Sequence, residues 1–209
     1  MPKIKMPRSS PALDMTPMVD LAFLLVTFFM LTAQFRPEDA AAVDTPSSMS
    51  TSPIPLDGLM TITVDSTGRI FWDLTEKPVR IAVLEKMAER YSLTLDPEQK
   101  ERFASLTAIG VPMNKLNTFL SLKNAGERKE FDRDNTGIPT DSLDNQLQWW
   151  IYETNTLFYN EIGKKVLVAL KADGNTPYTR VNEVIKTFQG PIIQINRFKM
   201  ITDLEESRL

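Results

Sequence analysis

Residues 16–35 read TPMVDLAFLLVTFFMLTAQF, one apolar run with a single carboxylate, Asp20, set inside it. At 1.5 Å rise per residue, a helix over this stretch is roughly 30 Å long, the thickness of a bilayer's hydrocarbon core. The uncharged part between Asp20 and Arg36 is short for a span, so the spacing predicts a membrane helix over residues 14–35 with Asp20 inside it. An ionised Asp at the centre of such a helix costs about 2.5 to 3.5 kcal/mol on insertion scales. It therefore needs a partner, a wet cavity or a proton. On a helical wheel Thr16, Asp20 and Thr27 fall within about 40° of one another, a narrow polar stripe among faces of Leu, Phe, Val and Met. A helix of this kind turns its stripe toward other protein and its apolar faces toward packing partners or lipid.

Two plainer readings stand beside this one. Asp20 can be a snorkelling boundary residue, or the segment can be a cleaved signal peptide, with Lys3, Lys5 and Arg8 as its basic start and residues 21–31 as its apolar middle. The cleavage site is poor, because the small residues Ala40, Ala41 and Ala42 lie behind the charged Arg36, Glu38 and Asp39. The chain has no cysteine, which excludes a lipoprotein anchor and disulfides.

Charge sets the expected orientation. Lys3, Lys5 and Arg8 against Asp14 precede the apolar run, whereas Arg36 is outweighed by Glu38, Asp39, Asp44 and Asp57 after it. The positive-inside rule then leaves residues 1–13 in the cytoplasm and the remaining mass on the other side. A net charge of −3, a pI near 5.2 and the lack of any basic patch interleaved with aromatics argue against nucleic acid.

Residues 36–58, RPEDAAAVDTPSSMSTSPIPLDG, have no periodicity and a Pro, Ser, Thr and Ala bias, and read as an extended linker. Residues 59–209 make up about 150 residues, enough for a single core. Met60, Ile62 and Val64 alternate with Thr61 and Thr63, Asp65 to Gly68 turn, and residues 69–72 return, which predicts a hairpin. Pro78 opens a helix to about Tyr91, Asp96 to Gln99 is a capping signature for a second, and residues 112–122 suggest a third. A longer helix is expected over residues 142–159, with Leu143, Leu147, Trp150, Ile151, Thr154 and Phe158 along one side. Residues 165–171 then read as a strand, 176–188 as a helix and 197–202 as a last strand.

Between these helices, residues 126–137 are a mixed-charge run without a sustained period and read as a solvated loop. Asp132, Asp134, Thr136 and Gly137 match the opening of a calcium-binding loop, but its twelfth position is Leu143, so no bidentate Glu is supplied and no metal is expected. The blocks on either side already complete a strand-and-helix pattern. Residues 92–140 are therefore expected to form a peripheral helical insertion in an α/β (α+β) domain of helices on a mixed sheet.

The short basic start, Pro17-Met18-Val19-Asp20 leading an apolar run, the Pro-rich linker and a compact domain together resemble the ExbD/TolR family of biopolymer transport proteins. Ile62-Thr63-Val64-Asp65 with Gly68-Arg69-Ile70, and Leu170-Lys171-Ala172-Asp173 followed by Tyr178, sit where similar motifs occur in that family. The resemblance covers residues 1–91 and 160–209. It implies an inner-membrane stator subunit with a periplasmic domain, working as a dimer with a second ExbD-like chain inside an ExbB-like pentameric ring and acting on a TonB-like energy transducer. It also implies that Asp20 takes up and releases protons, with Thr16 and Thr27 as possible polar partners in the helix and no cofactor.

Two other classes compete with this reading. A membrane-anchored periplasmic binding or scaffold protein predicts that Asp20 is replaceable. A hydrolase is disfavoured, because without His and Cys the usual nucleophile–base pairs and His-bearing zinc sites cannot be built.

Overall fold

A computed structural model describes residues 15–32, 43–45, 47–48, 57–141, 144–201 and 203–204. The chain divides into two units, Met1–Arg36 and Pro37–Leu209. In the first, the apolar run forms helix α1, Thr16–Thr32. Its 17 residues span about 25 Å. Among the described residues no helix is long and apolar enough to cross a membrane. The ends of the expected span, residue 14 and residues 33–35, lie outside the described residues, as do residues 1–13 and most of the expected linker.

The second unit is α+β, with helices packed on a mixed four-stranded sheet. After a two-residue strand β1, Ser47–Ser48, come β2, Leu59–Val64, and β3, Ile70–Leu74, paired antiparallel with Ile62 opposite Trp72. Helices α2, Lys77–Arg90; α3, Pro97–Ser105; α4, Met113–Ser121; α5, Ala125–Arg133; and α6, Gln146–Ile162, precede β4, Leu167–Ala172. Helix α7, Tyr178–Gln189, connects β4 to β5, Lys199–Ile201, and a short β6, Asp203–Leu204, pairs with β1. The sheet order is β3-β2-β4-β5, with β2, β4 and β5 parallel.

The alternation along residues 59–64 fixes which face is buried. Met60, Ile62 and Val64 stand opposite Leu74, Trp72 and Ile70, so all six side chains share one face, and all are buried. Over them lie Val79, Val83, Leu84 and Met87 of α2, with Leu147, Trp150, Ile151 and Phe158 of α6.

Residues 92–140 are not an appendage. Phe103, Ile109, Val111, Met113, Leu116 and Leu120 are fully buried in the same core. The Phe103 ring stacks on Trp150 at 5.9 Å and on Trp72 at 6.3 Å, and Trp72 and Trp150 are 4.9 Å apart. Arg80, buried beneath, places its guanidinium 5.6 Å from Trp72 and 5.3 Å from Phe103 while Nη1 donates to Asp73 at 2.8 Å. Ile109 also exchanges two backbone hydrogen bonds of 2.8 Å with Trp72, covering the outer edge of β3. The expectation of a peripheral insertion fails because it counts elements that complete a sheet, whereas burial depends on which side chains fill the space above it.

Two local expectations also change. Residues 126–137 are expected as a loop, but the first eight of them belong to helix α5, Ala125–Arg133. This helix buries no residue fully, and its one apolar contact with the rest is Phe131, whose ring lies 6.1 Å from Phe119, beside the bond from Arg69 Nη1 to the Asp132 carbonyl, so it leaves no apolar period to read. Good helix formers carry it, with Asn124 Nδ2 donating to Glu127 and Arg128 Nη1 donating to the Leu122 carbonyl. Helix α6 starts later than residue 142, because the Asn145 side chain accepts from Gln148 N at 2.9 Å and so caps it there.

Candidate functional site

The site expected from the sequence is the polar stripe of α1. Every residue of this helix is exposed, including Phe23, Leu24, Phe28 and Leu31. It has no core of its own, and its apolar surface runs all round. Asp20 is the one charged residue on this otherwise uncharged and largely apolar helix.

The structure brings Thr16 and Asp20 together one turn apart, lining one shallow depression with Pro17, Val19 and Phe23. Thr27 is not part of that lining. Its hydroxyl donates back to the carbonyls of Phe23 and Leu24, both at 3.0 Å, so its proton is spent on its own helix while its oxygen remains an acceptor. Chemically, the stripe offers one titratable group, next to a threonine, on a surface suited to burial against other apolar surface.

The two motifs of the second unit prove to be neighbours. They come after β2 and β4, which run parallel side by side, so both turns emerge at the same end of the sheet. Asp65 is buried and receives hydrogen bonds from Thr67 N at 3.0 Å, Thr67 Oγ1 at 2.7 Å and Arg69 N at 2.8 Å. Its other oxygen binds Arg69 Nε at 2.7 Å and Nη2 at 2.6 Å. Burial pushes the Asp65 carboxyl up, but the hydrogen bonds from Thr67 and Arg69 outweigh it and hold the group below the ordinary carboxylate range.

Across the sheet end, Thr176 Oγ1 donates to the Asp65 carbonyl at 2.9 Å and Asp173 N donates to Val64 O at 3.0 Å. Asp173 accepts from Asn175 N at 2.9 Å and from Asp44 N at 3.0 Å, tying residue 44 to the β4–α7 turn. Hydrogen bonds from those backbone groups hold the Asp173 carboxyl low. Both motif aspartates thus organise turns. Tyr178 of the second motif is exposed at the first turn of α7.

Asp132 is a titrating group that the sequence does not reveal. One of its oxygens is buried without a hydrogen-bond donor, and burial pushes its carboxyl up to about 6 in spite of Arg69 nearby, with Asp65 adding to the rise. Its mixed-charge surroundings in the sequence give no sign of this, because the burial comes from contact with a hairpin more than sixty residues away.

The family model for the biopolymer transport protein ExbD/TolR matches residues 6–199. The chain belongs to the ExbD/TolR family. The match runs through α1, the hairpin, residues 92–140 and both motifs, so this ExbD/TolR chain is covered continuously rather than at its two ends alone. No curated protein and no solved structure matches it. Membership of the ExbD/TolR family carries with it a role in biopolymer transport.

Proposed function

We propose that this chain is the ExbD-like subunit of an inner-membrane, proton-driven stator, with Asp20 as the proton-binding group. One observation carries the reading: a single carboxyl projects from a helix that is apolar and exposed on every face, in a chain of the ExbD/TolR family. A lone helix cannot shield a carboxylate from lipid on all sides. The lining must come from partners, namely an ExbB-like pentameric ring and a second ExbD-like chain around α1, with Thr16 and Thr27 as the polar beginnings of that lining.

In this reading α1 is extended by its neighbours into a single span, residues 1–13 are cytoplasmic, and the α+β unit is periplasmic, where it acts on a TonB-like transducer. Protonated Asp20 is neutral and can face apolar surface; ionised Asp20 requires a polar or wet partner. Alternation between the two couples proton passage to movement of the helix against its ring. Each proton crossing 100 mV supplies about 2.3 kcal/mol. The chain needs no cofactor or metal for this, and it is not an enzyme.

Asp20→Asn keeps size and hydrogen bonding but removes titration. Co-purification with the ring subunit should survive, while gradient-dependent transport in cells stops; Asp20→Glu should retain part of it. Wild-type transport by the Asn variant would overturn the proton role and leave a membrane-anchored scaffold. Orientation is tested separately by fusing, after Leu209, a reporter enzyme that is active only outside the cytoplasm, with retention of the N-terminal residues in the mature chain.

A further inference from the structure

Three arginines from separate parts of the α+β unit meet around one concavity of ≈ 380 Å³, lined by Thr67, Gly68, Arg69, Arg133, Asn135, Thr136 and Arg180. Three of the seven lining residues are cationic and none is acidic. The β2–β3 turn supplies Arg69, the end of α5 supplies Arg133, and the first turn of α7 supplies Arg180. Gly137 makes the junction possible. Its φ is +80°, and a Cβ there would lie 2.4 Å from Ile70 N, so only glycine lets the segment after α5 press against the start of β3. Ile138 N then donates to Ile70 O at 2.9 Å and fixes it.

Two of the guanidinium groups are held in advance. Arg69 spends Nε and Nη2 on Asp65 and Nη1 on the Asp132 carbonyl at 2.8 Å, keeping one hydrogen on each Nη. Arg180 gives Nε to Gly68 O at 3.3 Å and Nη1 to Glu183 at 2.8 Å, keeping Nη2. Arg133 is exposed and has no hydrogen-bond or ion-pair partner among the described residues. Lys115, donating to the Asn135 side chain at 2.9 Å, brings a fourth cation behind the wall.

We infer that this concavity is a binding site for a phosphate monoester group. A carboxylate has two oxygens and is satisfied by one guanidinium fork. The remaining N–H groups of two fixed guanidinium groups and the unpartnered Arg133, arriving from three elements, offer donors to the three terminal oxygens of a phosphomonoester, whose −1.5 to −2 charge exceeds that of a carboxylate. Because Arg69 and Arg180 are already positioned, little side-chain freedom is lost when the anion arrives. The volume admits the phosphate with a small attached group. The site lies in the α+β unit and stands independently of the proton role of Asp20.

The test uses the full-length chain in a neutral detergent, titrated calorimetrically with inorganic phosphate while chloride is adjusted to hold ionic strength constant. Saturable binding is expected, with acetate failing to compete. Arg133→Gln should weaken it about tenfold or more without moving the unfolding midpoint of the free protein, since each lost charge-assisted pair is worth at least about that factor. Arg180→Lys, which keeps charge but loses the fork, should also weaken it. Glycerol phosphate and micelles doped with phosphatidic acid separate the sources: equal affinity marks a soluble ligand and tighter binding to the doped micelles marks a lipid headgroup. Absence of saturable phosphate binding, or equal affinity in wild type and Arg133→Gln, would overturn the site.

Discussion

Replacing Phe103 by Ala tests whether the helical stretch after α2 belongs to the core. The ring is fully buried, stacked 11° from parallel with Trp150 and 26° from parallel with Trp72, and it forms one of the two aromatic surfaces beside the Arg80 guanidinium. Large-to-small replacement of a buried Phe costs about 3 to 5 kcal/mol through lost transfer energy and an incompletely collapsed cavity. Loss of the two stacking contacts places this site in the upper half of that range, near ~4 kcal/mol. With a urea dependence of about 2 kcal/mol per molar, the unfolding midpoint should fall by about 2 M at unchanged slope. Tryptophan fluorescence of the full-length chain in detergent is the assay, because two of the three tryptophans border the deleted ring. Phe131→Ala on α5, where nothing is fully buried, is the control and should cost about 1 kcal/mol. A loss below about 1 kcal/mol for Phe103→Ala would refute the core assignment and return residues 92–140 to the periphery.

Asp132, raised to about 6 from 3.8, binds its proton more tightly in the folded than in the unfolded chain. Its contribution favours the folded state at low pH, where both states are protonated, and is lost as pH rises through about 4 to about 6; after allowance for its partial solvent contact, Asp132→Asn should stabilise the protein by about 1 to 2 kcal/mol at about pH 8. Equal pH dependence of the urea midpoint in wild type and variant would contradict this. Gly110→Ala should destabilise by about 1 to 3 kcal/mol, because its Cβ would lie 2.2 Å from the ring of the buried Phe71. Phe71→Leu, tested alongside, should relieve part of the clash in the double variant; strictly additive losses would show that the ring is not the obstacle.

Local elements were legible in the chain wherever one side of an element is buried. Alternation over residues 59–64 marks the hairpin and its buried face, and the 3.6-residue period marks α2, α6 and α7, because burial on one face writes its period into the chain. Asp20 stands out for the same reason, as a polar interruption in an otherwise apolar run. Tertiary structure decided what depends on distance in space. Helix α5 leaves no apolar period because it packs through Phe131 and the polar Asp132 rather than along an apolar face. The place of Phe103 in the core becomes visible only when Trp72 and Trp150, themselves in contact, come to lie against it. Arg69, Arg133 and Arg180 are separated by 64 and 47 positions in the sequence and are joined only by the docking of the α5–α6 loop on β3 and of α7 beside the hairpin turn. The burial that raises Asp132 has the same origin: it is a property of the surface against which the residue packs, and that surface is made by another part of the chain.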